Sequence, residues 1–587
     1  MTAAVDVRRA VRRSLIGAAV LVAAAGAWLV VRGALAVGET VALKAAAEEF
    51  EATLDVADAD AASAASFLDR MSGDAGALAG HALTLASLTS DPVWRAAEVL
   101  PFAGAQLRAA RLGAAELARL TTAGHEVLVA SSAVLRPSRS DGLDVDAIRA
   151  LTPPLDDLVA ALGEARTTLD RIDRGELLSP VAKGIDTLDA MIDRTGPALE
   201  AMRATARVVP PLLGADEPRL ILLMLQNPAE LRAAGGITGT FVAIRAEDGV
   251  MTLAGQADSS VFPPTEAPDI TIPADASTRT DDGVGRFVQN IAATPDFPLS
   301  AEIAAAWWRG HTGEDADAVV ALDPLVLKPL LALTGPVTVD GEQIWAEQVV
   351  DTLLRRPYLE REQDAQTAFF RVVTETVFTA ALATPAEAPG MAFHLAPLLD
   401  AGRLAVWSAH PAEQAVLADT AAAGLAARME QRRAHALLFD DLTGGKLDAY
   451  LAASMTLETT SCRPDGRETT VVSAELSSAV QTGMTLPWTS FPAFGGFDRE
   501  DIGLRLTALA LPGAVVEAVT IDGEPVPWTA ATVVGRPGAA TRVVLPPGGT
   551  ATVAFRFVAD PGPENPDLVH TPLVGDPPIH VLEGVCR

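Results

Sequence analysis

Residues Ser14 to Val31 read SLIGAAVLVAAAGAWLVV and carry no charge. That length is close to the roughly 20 apolar residues a membrane-spanning helix needs. Arg8, Arg9, Arg12 and Arg13 precede the run and Arg32 alone follows it closely. An excess of arginine on the amino side predicts a cytoplasmic N-terminus, and Trp28 stands where an aromatic anchor would meet the far interface. A cleaved signal peptide is the alternative. The run is long for one, and no convincing A-x-A exit precedes a polar start. The expected layout is a cytoplasmic tail over 1–13 and an uncleaved signal anchor over 14–36. No second long apolar run follows, so about 550 residues would lie outside the cytoplasm. The expected location is the cell membrane, single-pass.

The formal net charge of -30 narrows the partners. A polyanion without a basic stripe repels nucleic acid, which is excluded as a partner. The same charge would not help binding to an anionic lipid face. Much of the apolar content is alanine and only 5% of residues are aromatic, a balance that favours helix. Cys462 and Cys586 are the two cysteines and form no C-x-x-C pair, which argues against a thiolate zinc site. Outside the cytoplasm, a Cys462–Cys586 disulfide is the expectation.

The chain reads as a multidomain α+β protein. Residues 37–214 have helical periodicity, with Leu155, Leu158, Val159, Leu162, Leu169 and Ile172 on one face, then Val181, Ile185, Leu188 and Ile192. Pro92, Pro101, Pro137, Pro153, Pro154, Pro180 and Pro197 are expected to divide the region into separate helices, with a boundary at Pro210-Pro211 and Gly214. Residues 215–385 alternate strand and helix, which predicts a central α/β domain. Its strands are expected at 220–225, 240–245, 250–253 and 318–322, with a hairpin turn at Asp248-Gly249. Residues 261–295 read as a long surface loop. Residues 386–445 are expected to be a helical segment. From 446 to 587 short alternating runs predict an antiparallel β-sandwich; Ala551, Val553, Phe555 and Phe557 alternate with Thr552, Ala554 and Arg556.

Functional interest centres on 220–240, LILLMLQNPAELRAAGGITGT. An unbroken apolar run reads as a strand buried on both faces. Polar residues and glycines follow it at once, and ligands of open α/β sheets sit outside the carboxyl ends of the strands. Asn227, Glu230, Arg232, Gly235, Gly236, Gly239, Arg355 and Arg356 are the candidate ligand-binding residues, because guanidinium forks and glycine nests hold phosphate or carboxylate. Asp258 and Asp323 are candidate ligands for a divalent cation such as magnesium. An internal salt-bridge network with ordinary strand-end turns is the competing reading. No nucleophile elbow, Walker loop, H-E-x-x-H or dinucleotide fingerprint is present. Gly444-Gly445-Lys446 reads as a turn.

Several blocks resemble the DUF4012 family of bacterial envelope proteins. They are Asp91-Pro92-Val93-Trp94 with Leu100-Pro101-Phe102-Ala103-Gly104, LLMLQNPAELRAAGGITGTF, Pro295-Asp296-Phe297-Pro298, Asp323-Pro324 with Leu333-Thr334-Gly335-Pro336-Val337, and Lys446-Leu447-Asp448. The centre is also distantly similar to the LytR-CpsA-Psr domain, through the strand leading to Asn227–Arg232, the 318–339 segment and Leu353-Leu354-Arg355-Arg356. It departs at Gly236-Ile237-Thr238-Gly239, where that domain has Arg-Ser-Asp-Thr. The second resemblance implies an outward-facing phosphoglycosyl transferase that uses arginines and magnesium.

Two functions follow. In one, the protein binds or transfers a polyprenyl-phosphate-linked glycan or cell-wall polymer, and Arg232 must be exposed beside an apolar tunnel. In the other, it is a non-catalytic scaffold for other envelope proteins, and Arg232 is buried in a salt bridge.

Overall fold

The computed structural model describes residues 2–56, 64–134, 142–264, 270–278, 283–382, 397–484, 496–562 and 566–584. It is mixed α+β and divides into two compact units, residues 1–138 with 146–207, and residues 139–145 with 208–587.

The first unit is helical. Its elements are α1 (Thr2–Val56), α2 (Ala64–Thr89), α3 (Pro92–Ala97), α4 (Ala103–Val134), α5 (Val145–Arg149), α6 (Thr152–Asp170) and the start of α7 (Ser179–Leu212). The expected apolar faces pack inward: Leu155, Leu158, Leu162 and Leu169 of α6 and Ile185, Leu188 and Ile192 of α7 are buried. Among the described residues of α1, Ala23–Thr53 contains a run long and apolar enough to cross a membrane, and it overlaps the expected anchor over 14–36. Val30, Val31, Leu35, Val37 and Val41 are exposed along it.

The prolines act differently from one another. Pro92 and Pro153 stand in the first turns of α3 and α6, where a missing N–H is harmless. Pro197 does not end a helix; α7 runs through it, and Pro210 and Pro211 lie in its last turn. An interior proline removes one backbone bond, and here Ile192 before it and Ala206 after it remain packed in apolar clusters. Pro137 lies outside the described residues.

The second unit is built on a five-stranded sheet in the order β3-β2-β1-β4-β7. These strands are β1 (Arg219–Arg232), β2 (Gly235–Glu247), β3 (Val250–Asp258), β4 (Ala318–Leu322) and β7 (Leu404–Ser408), with β5 (Val337–Val339) and β6 (Glu342–Ile344) as a separate hairpin. β1 runs parallel to β4 and antiparallel to β2. Alternate residues of β1 enter two cores. Leu220, Leu222 and Met224 pack with Ile303 and Trp307 of α8 (Phe297–Thr312). Ile221 and Leu223 pack with Val208, Leu212 and Leu417. Covering both faces is what an uninterrupted apolar strand requires. The turn at Asp248-Gly249 forms as expected, with φ of 48° and 80°, the paired positive values of a two-residue hairpin turn.

Three expectations need correction. β1 does not stop at Leu225 but continues to Arg232, and β2 starts at Gly235. The segment 261–295 is not all surface loop. Val288, Ile291, Ala292 and Ala293 are buried in the core beneath β1 and β2, because their apolar side chains complete that face; 265–269 and 279–282 lie outside the described residues. The helical reading of 386–445 also fails in part. β7 lies within it, and Ala434–Asp441 is a strand, β8, buried at every position.

β8 joins the C-terminal strands β9 (Leu451–Thr460), β10 (Glu468–Ser478), β11 (Ile502–Leu509), β12 (Val515–Ile521), β13 (Glu524–Pro525), β14 (Thr529–Val533), β15 (Arg536–Leu545), β16 (Thr550–Ala559), β17 (Asp567–His570) and β18 (Ile579–Glu583). They form a six-stranded sheet, β13-β12-β16-β10-β9-β18, and a five-stranded sheet, β14-β15-β11-β8-β17. Val553, Phe555 and Phe557 from the first and Phe439, Leu504 and Leu506 from the second share one apolar core. Cys462, just past β9, is disulfide-bonded; Cys586 lies outside the described residues.

Candidate functional site

The block after Leu225 is part of a strand because its polar groups find partners far away in the chain. Register shifts interrupt the β1–β2 ladder between Leu225 and Gln226 and between Asn227 and Leu231. Asn227 Oδ1 accepts from the Ala229 N–H at 3.0 Å, and its amide donates to the Tyr358 hydroxyl. The Leu231 N–H donates to Asp448 Oδ2 at 2.8 Å and the Ala233 N–H to Asp440 Oδ1 at 3.2 Å. Thr571 Oγ1 donates to the Ala233 carbonyl at 2.6 Å. Residues of β8 and of the segments around 448 and 571 therefore hold the end of β1.

Charge is concentrated at the same place. Arg232 donates from Nε to Asn290 Oδ1 at 2.9 Å, from Nη1 to the Leu231 carbonyl at 2.8 Å and from Nη2 to Glu230 Oε1 at 2.7 Å. The other Glu230 oxygen accepts from Lys446 Nζ at 2.5 Å. The side chains of Arg232 and Glu230 are each 7% exposed. Burial alone would raise the Glu230 carboxyl; the Lys446 ammonium and Arg232 guanidinium outweigh it and hold it at about 2. Asp441 shifts the other way, pushed up to about 6 by burial and by the nearby Glu230 charge. Asp448 is raised well above the ordinary carboxylate value by burial and then by Asp441. In this buried cluster Glu230 is held charged between two cations, while Asp441 and Asp448 keep their protons to higher pH than an ordinary carboxyl.

The glycines serve the hairpin. Gly235 has φ of 150°, and a Cβ there would meet Gln226 Oε1 at 2.2 Å. A Cβ on Gly236 would lie 2.0 Å from the Asn227 carbonyl carbon. Both exist for close approach to their own partner strand. A Cβ on Gly239 would meet nothing within 4 Å.

The remaining candidates do not converge on Arg232. Arg355 donates from Nη2 to the Ala449 carbonyl at 2.9 Å and lies 5.0 Å from the centre of the Tyr450 ring. Arg356 pairs with Glu342 at 2.5 Å and Asp351 at 3.1 Å. Asp258 accepts from the Ser260 N–H at 2.9 Å, capping a short turn. Asp323 accepts from the Leu325 N–H and from Arg403 Nη1, each at 2.8 Å. Among the described residues, no group of three His, Cys, Asp or Glu side chains is placed to hold a metal ion. Asp258 and Asp323 are thus local backbone caps, with Asp323 also ion-paired, and the expected cation site is not assembled. Two surface cavities, of about 670 and 220 Å³, share Arg556 on the six-stranded sheet, and neither is lined by residues 226–239.

Lys446, Asp440, Asp441, Asp448 and Asn290 were missed as members of this network. The Gly444-Gly445-Lys446 turn does form, and Lys446 leaves it to reach Glu230. One signal was available: Lys446-Leu447-Asp448 is among the family-like blocks. The class that emerges is an α+β protein with an N-terminal apolar helix, whose central sheet and C-terminal sheet pair are joined through a buried ionic cluster. Residues 216–358 match the model of the family described as "Protein of unknown function (DUF4012)", and the chain carries a DUF4012 region there. No curated protein matches the chain.

Proposed function

We propose that this is a membrane-anchored, extracytoplasmic envelope protein acting as a non-catalytic scaffold for other envelope proteins. In this reading the Gln226–Gly236 block is a structural joint. One observation carries it: all three donor-bearing nitrogens of the Arg232 guanidinium are occupied by groups of the protein itself, and Lys446 takes the remaining oxygen of Glu230. A phosphate could reach that guanidinium only by displacing Glu230 from a buried ion pair, which would leave Glu230 with Lys446 as its single cation. The apolar, uncharged run at 14–31 with its arginine bias supports the anchor and its orientation.

The test is native mass spectrometry of protein extracted from its own membrane, for the wild type and for Arg232→Lys, with circular dichroism to verify folding. The scaffold reading expects the two spectra to show the same lipid adducts. A polyprenyl-phosphate adduct on the wild type that a folded Arg232→Lys protein loses would overturn it and restore the glycopolymer-binding reading.

A further inference from the structure

The first unit exposes an apolar tip at one end, and the hydrogen bonds show which end. α2 returns alongside α1. Thr53 Oγ1 donates to Asp74 at 2.7 Å, His81 meets Glu39 at 2.9 Å, and Arg32 reaches the Ser87 carbonyl at 3.4 Å. Arg32 Nε also donates to Asp91 Oδ2 at 3.0 Å. The other Asp91 oxygen caps α3 by accepting from Val93 and Trp94. The α2–α3 junction, from which the six-residue α3 leads to the α3–α4 connection, is therefore fastened to α1 one turn beyond Trp28, whose ring lies 5.3 Å from the Arg32 guanidinium. This is the point where the uncharged run 14–31 ends.

That connection is Val99-Leu100-Pro101-Phe102. Val99 is 83% exposed and Phe102 is 97% exposed, and Leu100 is also exposed. Phe102 holds a φ of 64°, uncommon for a bulky residue and a sign that the surroundings fix the turn. Gly104 N–H donates to the Leu100 carbonyl at 2.9 Å, and a Cβ on Gly104 would meet the Glu98 carbonyl oxygen at 2.2 Å. The Trp94 indole donates to the Leu107 carbonyl at 2.9 Å. The tip is thus braced from both sides. A second element brings another apolar residue to the same end: Gln106, one turn into α4, holds the Glu176 carbonyl at 2.7 Å and the Leu178 N–H at 2.9 Å, and Leu178 is exposed. Arg95 and Arg108 are exposed in the neighbouring turns of α3 and α4, and Arg108 lies 3.8 Å from Glu98.

We propose that Val99, Leu100, Phe102 and Leu178 seat in the leaflet that α1 leaves at Arg32. They fix the depth and tilt of the anchor, and the occupant of the patch is the lipid interface. Apolar side chains at such a boundary lie about 5–10 Å into the headgroup region, and arginines there face headgroup phosphates. A braced, solvent-facing Phe beside the exit of an apolar helix has its apolar partner within reach in the bilayer. The inference rests on the anchor reading of α1.

The experiment places an environment-sensitive fluorophore on Phe102→Cys, on Leu178→Cys and on Val129→Cys. The full chain is reconstituted into phosphatidylethanolamine–phosphatidylglycerol vesicles. No reductant is used, since Cys462 is disulfide-bonded. Val129 is exposed on α4, about 40 Å along the helix from the tip. The expected result is a blue-shifted emission at 102 and 178, severalfold weaker iodide quenching than at 129, and strong quenching by lipids spin-labelled near the headgroup. If the protein stays with the vesicles through an alkaline wash but the labels at 102 and 178 behave like the one at 129, the inference is overturned and the anchor stands. If the alkaline wash releases the wild type, the anchor reading falls, and the inference with it.

Discussion

Replacing Glu230 by glutamine would test the buried joint most directly. The carboxylate lies between two cations, 2.7 Å from Arg232 Nη2 and 2.5 Å from Lys446 Nζ. Glutamine keeps the shape and removes the charge, so Arg232 and Lys446 are left facing a neutral group with little water. Two charge-assisted hydrogen bonds are weakened, each worth about 1.5–3 kcal/mol. The proton equilibrium gives a second route to the magnitude. Holding the carboxyl at about 2 against an ordinary 4.5 corresponds to about 3 kcal/mol of folding stability. Both routes give a loss of about 3–5 kcal/mol, as for breaking other buried pairs. Because the folded value lies below the unfolded one, this stability is present above pH 4.5 and is lost as pH falls toward 2. The assay is urea unfolding of the full chain in detergent, followed by tryptophan fluorescence, with hydrogen exchange over 226–239 as the local readout. Wild type and Glu230→Gln should differ most at pH 7 and converge as pH falls from about 4 toward 2. A difference under about 1 kcal/mol at pH 7, or one independent of pH, would refute the reasoning.

Other consequences can be checked on the same preparation. Asp441, raised to about 6 against 3.8, works in the opposite sense: its neutral form is the stable one, so stability should rise as pH falls from about 7 to 5, and a flat urea midpoint over that range would count against it. Arg403→Met leaves Asp323 buried without its guanidinium and should cost about 3–5 kcal/mol. Added magnesium or EDTA should leave the wild-type Tm unchanged, and a magnesium-dependent rise would reinstate a cation site at Asp323. Gly236→Ala forces a Cβ into the Asn227 backbone and should lower stability by more than about 2 kcal/mol, whereas Gly239→Ala, facing open space, should stay within about 0.5 kcal/mol. Cys462→Ser should cost about 2–4 kcal/mol in urea, and no change would place the disulfide outside the cooperative fold.

What could be read from the chain alone was what neighbouring residues decide. The run from Leu220 to Leu225 announces a strand covered on both faces, and the Asp248-Gly249 pair fixes its turn by local backbone geometry. The alternation of Val553, Phe555 and Phe557 gives the inward face of β16. β8 was hidden because Ala434–Asp441 is buried throughout and does not alternate, and its two terminal aspartates look like surface residues. The continuation of β1 was hidden for a related reason. Asn227, Glu230 and Arg232 are polar, and the groups that let them be buried include Tyr358, Lys446 and Asn290, which lie 131, 216 and 58 positions away in sequence. No local pattern encodes such partners.

The same contrast explains why a block that resembles a ligand site is used as a joint. A glycine pair beside an arginine and a glutamate is a good anion cradle only while the arginine stays free. Here the turn at Ala233-Ala234 is bonded to Asp440, Thr571 and the Ala292 carbonyl, and this draws Arg232 inward, where Glu230 must meet it. Once Glu230 is buried it requires the second cation, and Lys446 must come from across the unit to supply it. Each burial makes the next obligatory. The cluster then specifies one relative placement of the central sheet and the β8 sheet, since apolar contacts alone would tolerate a range of registers. Stability is a weaker explanation, because buried ion pairs gain little over apolar packing of the same volume. The scaffold role proposed above would use that kind of rigidity, because its surfaces would have to keep a fixed relation to one another.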